Sequence, residues 1–186
     1  SSFDTFLNEY VPMEDCHRFY ITGFSGSVAD VLVPKQGRVK LFVDGRYYEQ
    51  ADLEVDATAV EVVRVPANTA LFSCLIEEVK KAGFENIGIE AQRTPLSTFK
   101  KLDEIAKVKS FQNELSEIIS FEKQPALAPI TFVPKENSGE STKEKLARVI
   151  EDNSMGYYIT AIDSLAWITN CRGYHLPNLS SFLGRG

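Results

Sequence analysis

Two short runs dominate the apolar pattern of the chain, Ser27–Pro34 and Val39–Asp44, separated by the polar tetrapeptide Lys35-Gln36-Gly37-Arg38. Such runs around a loop holding one glycine predict an antiparallel hairpin. Within the second run Val39, Leu41 and Val43 fall on one face, with Lys40 and Phe42 on the other. Ahead of the hairpin lies Gly23-Phe24-Ser25-Gly26-Ser27, an aromatic between two glycines. Behind it comes Asp44-Gly45-Arg46-Tyr47-Tyr48-Glu49-Gln50-Ala51, in which Asp44 is placed to cap a short helix.

Downstream, the pattern changes period several times. Thr58–Pro66 reads as a strand. Asn68 or Thr69 then caps a helix with Leu71, Phe72, Leu75, Ile76 and Val79 on one side, Lys80 and Lys81 near its end and Gly83 to stop it. Asn86–Glu90 is a short strand. Thr94-Pro95 opens a second helix, with proline at the first helical position and Leu96, Phe99, Leu102 and Ile105 inward. Val108–Phe111 is a further strand, and Glu114–Phe121 has no clear period.

This alternation predicts an α/β fold in which a mixed β-sheet is flanked by helices. Composition then shifts, because Gln124–Glu140 holds Pro125, Pro129, Pro134 and Gly139 and reads as an extended linker. The expected organisation is a first module over residues 1–123, a linker over 124–140 and the beginning of a second module over 141–186. In the latter, Lys145–Asp152 is an amphipathic helix built on Leu146, Val149 and Ile150. Gly156 breaks it, Tyr157–Ile162 is a strand, and Asp163 caps a turn through Trp167 to Asn170. Phe19-Tyr20-Ile21-Thr22-Gly23 lines up with Ala166-Trp167-Ile168-Thr169-Asn170 as a faint internal repeat. A helix and strand precede the second copy and almost nothing precedes the first, so the chain reads as cut at both ends.

Charge and cysteine content narrow the function classes. Twenty basic against 26 acidic residues give a net charge of −6, which argues against a nucleic-acid partner. No apolar run approaches the roughly 20 residues that span a bilayer, so no membrane role is expected. Three widely spaced cysteines, Cys16, Cys74 and Cys171, suit reduced thiols in a cytoplasmic protein better than a disulfide framework. With only His17 and His175, and no HExxH or CxxC, the chain offers no metal cluster. Ser25, His17 and Asp44 supply the residue types of a hydrolase triad without the nucleophile-elbow spacing. The Gly23–Ser27 run lacks the lysine of a phosphate-binding loop and reads as a tight, closely packed turn. Two places remain of interest: the charged pair Asp44 and Arg46 at the end of a core strand, and Glu9-Tyr10 ahead of the glycine-rich loop.

Taken in order, Asp4, Glu9-Tyr10, Asp15, Arg18, Gly23–Ser27 and Asp44–Ala51 resemble the opening of the creatinase/prolidase N-terminal domain, most closely that of Xaa-Pro aminopeptidases. Phe6 departs from it, standing where the family often has His. Ile162, Asp163, Ala166, Trp167, Ile168, Asn170, Arg172 and Gly173 are similar to the motif of that family's second domain. The resemblance implies that these modules are non-catalytic, form oligomers and wall off the active site, which makes Glu9, Tyr10, Arg18, Asp44 and Arg46 candidates for wall or subunit contacts. It implies proline-containing peptides as substrates of the whole enzyme. It also implies two divalent ions, usually manganese, held by two Asp, one His and two Glu in a C-terminal catalytic domain, with no cofactor in this chain. A freestanding binding or regulatory module of the same fold, and the N-terminal part of a creatine amidinohydrolase, are the rival readings.

Overall fold

Residues 3–8, 10–111, 127–150, 156–176 and 178–186 are described by the structure, a computed structural model. Glu9, Glu114–Phe121 and the end of the helix expected over Lys145–Asp152 lie outside the described residues.

The hairpin forms as the apolar alternation predicts. Strand β1 (Asp30–Leu32) runs antiparallel to β2 (Val39–Val43), with Val31 opposite Leu41. Its arms are shorter than the apolar runs, because Pro34 has no N–H to give a ladder and residues 33–38 make the loop. β3 (Val60–Arg64) lies parallel to β2 on the other side, so the three-stranded sheet is mixed, in the order β1-β2-β3. Its start falls two residues after Thr58, whose N–H and hydroxyl both bond Asp56 Oδ1 in the preceding turn (2.8 and 2.7 Å).

β2 is central and covered on both faces, as expected for a strand buried within layers. Leu41 and Val43 pack with Phe24, Ala29, Ala51 and Val60, on the side of helix α2 (Tyr48–Glu54). Phe42 packs with Val65, Leu75, Val79 and Leu102, on the side of α3 (Leu71–Ala82) and α4 (Leu96–Asp103). Val39 packs against the first of these clusters, and Lys40 reaches Glu78 of α3 in an ion pair.

Three helix starts differ from the sequence reading. Asn68 adopts φ 66°, which its short polar side chain tolerates, and spends itself on a turn; α3 therefore begins only at Leu71 with Ala70 as N-cap. Pro95 is the N-cap of α4 rather than its first residue. Asp44 does not cap α2: its carboxylate is taken by Arg46, and Tyr47 stands at the N-cap.

Beyond α3 the chain builds a second small sheet, in which β4 (Asn86–Glu90) pairs in parallel with β5 (Lys107–Phe111) across α4. The proline-containing stretch carries structure of its own. There β6 (Thr131–Phe132) pairs antiparallel with β7 (Cys171–Arg172), and α5 (Lys135–Ser138) follows. α6 (Thr142–Val149) opens on a capping box between Ser141 and Glu144. Residues 156–161 form no strand and join no ladder among the described residues, although Ile159 exchanges both of its backbone hydrogen bonds with Gly186 (2.6 and 3.0 Å). Ile162 is not the end of a strand. It is the buried first residue of α7 (Ile162–Thr169), which packs through Leu165 and Ala166 on Phe182.

The side of α6 that is buried also differs from expectation. Leu146 and Val149 are exposed, while Lys145 is 3% exposed. Its ammonium donates to Trp167 O (2.9 Å) and Asn170 Oδ1 (2.5 Å) and lies over the Trp167 ring. Polar satisfaction, not apolar spacing, decides how this helix is turned. None of the helices among the described residues is long and apolar enough to cross a membrane.

Candidate functional site

The glycine-rich loop organises the first module. α1 (His17–Thr22) ends on Gly23 at φ 75°, the left-handed position that glycine fills without penalty. Phe24 then turns fully inward. Gly26 sits between the Phe24 and Tyr47 rings, which themselves meet edge to face at 5.7 Å. A methyl at Gly26 would overlap Phe24 Cζ and stand 2.9 Å from Tyr47 Cδ1. Closing the loop, Ser27 and Tyr47 share a hydroxyl hydrogen bond of 2.6 Å.

Arg18 lies beneath this loop and is buried. Its Nη2 donates to Gly26 O and contacts Cys16 Sγ (3.5 Å), and the guanidinium lies 5.3 Å from the Phe24 ring centroid. Among the described residues, Nε and Nη1 of Arg18 meet no hydrogen-bond acceptor. Tyr10 joins Arg18, Met13 and Cys16 around a recess of about 100 Å³ beside Gly26. A buried guanidinium with free N–H groups suits an acceptor oxygen, such as a carbonyl or carboxylate.

The other two candidate residues form a separate pair. Arg46 grips Asp44 with Nε to Oδ1 (3.0 Å) and Nη2 to Oδ2 (2.8 Å), and the guanidinium lies over the Tyr47 ring. The Arg46 side-chain bonds hold the Asp44 carboxyl below its ordinary pKa. Both groups face solvent. The five candidate residues thus do not make one constellation: Tyr10 and Arg18 come together under the loop, Asp44 and Arg46 pair with each other, and Glu9 lies outside the described residues.

Several charged residues that sequence reading left aside fix this region. Glu54 accepts from the Ser25 N–H (2.8 Å), the Ser25 hydroxyl (2.7 Å) and the Gln50 amide (2.9 Å). Burial acts to raise its pKa, but these hydrogen bonds prevail and it is lowered. His17 pairs with Glu90 at the end of β4. Arg93, also buried, donates to Asp15 O (3.0 Å) and Oδ1 (2.5 Å). With Ser25 held by Glu54 and His17 by Glu90, the residue types of a triad stay apart. Partners 29, 73 and 78 positions away leave no local signal. The one hint was that Glu90 and Arg93 flank the end of a predicted strand.

In the second module Asn170 occupies the left-handed position after α7 (φ 54°). Fully buried, it accepts from Lys145 and donates through Nδ2 to Glu140 O (2.8 Å). Arg172 donates to Ala166 O (2.9 Å). The imidazole of His175 lies 2.8 Å from Ala128 O through Nε2 and accepts from Leu183 N–H at Nδ1 (3.0 Å), which fixes the Nε2–H tautomer. All of these bonds shape backbone. Among the described residues no three His, Cys, Asp or Glu side chains converge to hold a metal ion.

A family model of the creatinase/prolidase N-terminal domain matches residues 10–119, more than half of the chain. The chain belongs to that family. A second model of the creatinase/prolidase N-terminal domain matches residues 122–185, so two family units stand in tandem. A probable Xaa-Pro aminopeptidase P of Pyricularia oryzae is 28% identical over 94% of this chain and 30% of its own length. Xaa-Pro aminopeptidase 2 of Rattus norvegicus is 24% identical over 94% of this chain and 27% of its own length. The chain therefore spans about 30% of the curated relatives it matches. The fold is shared with the X-prolyl aminopeptidase of Caenorhabditis elegans, described as a cytosolic enzyme with a di-nuclear active site. That likeness has a TM-score of 0.84 at 23% identity and covers 99% of this chain and 31% of the other.

Proposed function

We infer that the chain is the non-catalytic N-terminal part of a metal-dependent Xaa-Pro aminopeptidase, an enzyme that removes the residue before proline. The observation that carries this reading is the tandem of family units over residues 10–119 and 122–185, matched along its length by relatives named as Xaa-Pro aminopeptidases. The modules, read as residues 1–123 and 141–186 around a 124–140 linker, wall the active site against long peptides and carry subunit contacts. The Tyr10 and Arg18 recess, the Asp44 and Arg46 pair and Glu9 are the contacts this role predicts.

The described residues do not fit a two-ion centre. This reading assigns the divalent ions, manganese by preference, to the remainder of the protein, so no catalytic step falls to the residues described above. Three free thiols accord with a reducing, cytoplasmic setting.

The test is a peptide-release assay with manganese and an Xaa-Pro peptide. The full-length protein should turn over and lose turnover on chelation, and the 186-residue chain alone should release nothing above a metal-only blank. Glu9→Ala or Arg46→Ala in the full-length protein should impair turnover more than Lys35→Ala in the hairpin loop. Chelator-sensitive cleavage by the chain alone would overturn the reading.

A further inference from the structure

The guanidinium beneath the glycine-rich loop carries a charge that nothing around it balances. Arg18 is 5% exposed, and among the described residues no carboxylate stands within ion-pair distance of it. Its Nη2 is spent on Gly26 O and the Cys16 sulfur, and Nε and Nη1 meet no acceptor among the described residues. The Phe24 ring offers a face at 5.3 Å, a weaker attraction than a full counter-charge. Asp30 is the carboxylate that senses Arg18, yet burial is the largest influence on it and raises its pKa against the pull of the guanidinium. A cation taken out of water without a partner is costly. Guanidinium groups do not escape that cost by deprotonation.

A counter-charge from solution has room to reach this one. The recess of about 100 Å³ is lined by Arg18 together with Tyr10, Val11, Met13, Cys16 and loop residues 25–27, none of them acidic. Tyr10 and Met13 are exposed, so the recess meets the surface. A water takes roughly 30 Å³ in the liquid, so the space admits an ion of a few heavy atoms and no peptide segment.

We propose that this recess binds one small monovalent anion, a carboxylate such as acetate or a halide such as chloride, held by the uncompensated charge of Arg18. A neutral acceptor would satisfy an N–H group and leave the charge in place. A doubly charged ion would bring surplus charge into a recess whose wall holds no second cation. Because Arg18 also donates to Gly26 O, the bound anion braces the glycine-rich loop from beneath. The inference concerns the first module and is independent of what the whole protein hydrolyses.

Alkylation of the cysteines of this chain within the full-length protein tests it, because Cys16 lines the recess whereas Cys74 and Cys171 do not. Iodoacetate is itself a small carboxylate, and iodoacetamide is its neutral counterpart of similar size. Rates at each cysteine are read by peptide mass spectrometry. The iodoacetate-to-iodoacetamide ratio should be about tenfold or more higher at Cys16 than at Cys74 or Cys171, as in a cleft that concentrates counter-ions. Sodium acetate should protect Cys16 saturably. Equal protection by chloride would assign the site to halides and carboxylates alike, and protection by acetate alone would narrow it to carboxylates. Arg18→Gln should erase the preference. Met13→Glu, which places a carboxylate on the recess wall, should erase it with Arg18 still present. Equal ratios at the three cysteines would overturn the proposal. So would a Cys16 that neither reagent modifies, or protection that sulfate gives as well at equal ionic strength. Should Arg18→Gln fail to fold, the wild-type ratios and Met13→Glu still decide.

Discussion

Gly26→Ala is the substitution that tests the packing of the glycine-rich loop most directly. The added methyl would overlap Phe24 Cζ and come within 2.8 Å of Phe24 Cε1 and 2.9 Å of Tyr47 Cδ1. Phe24 is fully buried against Leu41 and Val43 and cannot swing away, and Tyr47 is tied to Ser27 through its hydroxyl. The loop backbone must therefore shift, and with it Gly26 O, which accepts from Arg18. Overpacking of this kind costs about 1–3 kcal/mol. At about 2–4 °C per kcal/mol for a chain of this size, Tm should fall by about 2–12 °C. Thermal unfolding followed by circular dichroism reads this, with Gly156→Ala as the control, because a methyl at Gly156 meets nothing within 4 Å. The control should melt at or slightly above wild type. A Gly26→Ala protein that melts within about 1 °C of wild type would refute the claim that the loop is closed by steric fit.

Three further outcomes are expected. Ser141→Ala should remove the capping box of α6 and lower stability by about 1 kcal/mol in denaturant titration. Lys145→Met should leave the buried Asn170 Oδ1 without its Lys145 donor, remove one of the donors to Trp167 O, and cost about 1–3 kcal/mol, whereas Lys143→Met on the exposed side should change stability by less than about 0.5 kcal/mol. Hydrogen bonds from Lys135 and then from the Ser141 N–H and hydroxyl lower the Glu144 pKa from 4.5 to about 2. A lowered folded-state pKa stabilises above the unfolded value and is lost as pH falls through the folded one, so Glu144→Gln should flatten the melting curve between pH 4.5 and about 2.

What the sequence made legible was local. The antiparallel hairpin followed from its two apolar runs, the shared face of Val39, Leu41 and Val43 from their alternation, and the ends of α3 and of α7 from Gly83 and Asn170, which take the left-handed positions. Errors arose where a residue had two local uses. Asp44 was equally fit to cap a helix or to hold Arg46, and the fork of the guanidinium won. For α6, apolar spacing pointed Leu146 and Val149 inward. The fully buried Asn170 amide needed a donor, and Lys145 supplied it while also bonding Trp167 O. The candidate site was legible only in part, since the Arg18 recess depends on backbone brought in from Gly26, and the partners of Ser25 and His17 are remote in sequence.

The ties between the start of the chain and β4 have a consequence for the order of events at the ribosome. His17 waits for Glu90, 73 positions later, and Asp15 waits for Arg93, 78 positions later. At about 5–20 residues per second, the segment around α1 is made roughly 4–15 s before its electrostatic partners leave the ribosome. During that interval His17 and Arg18 are solvated and α1, at six residues, is too short to persist alone. The glycine-rich loop therefore takes its final shape late, although it is among the first parts of the chain to be synthesised.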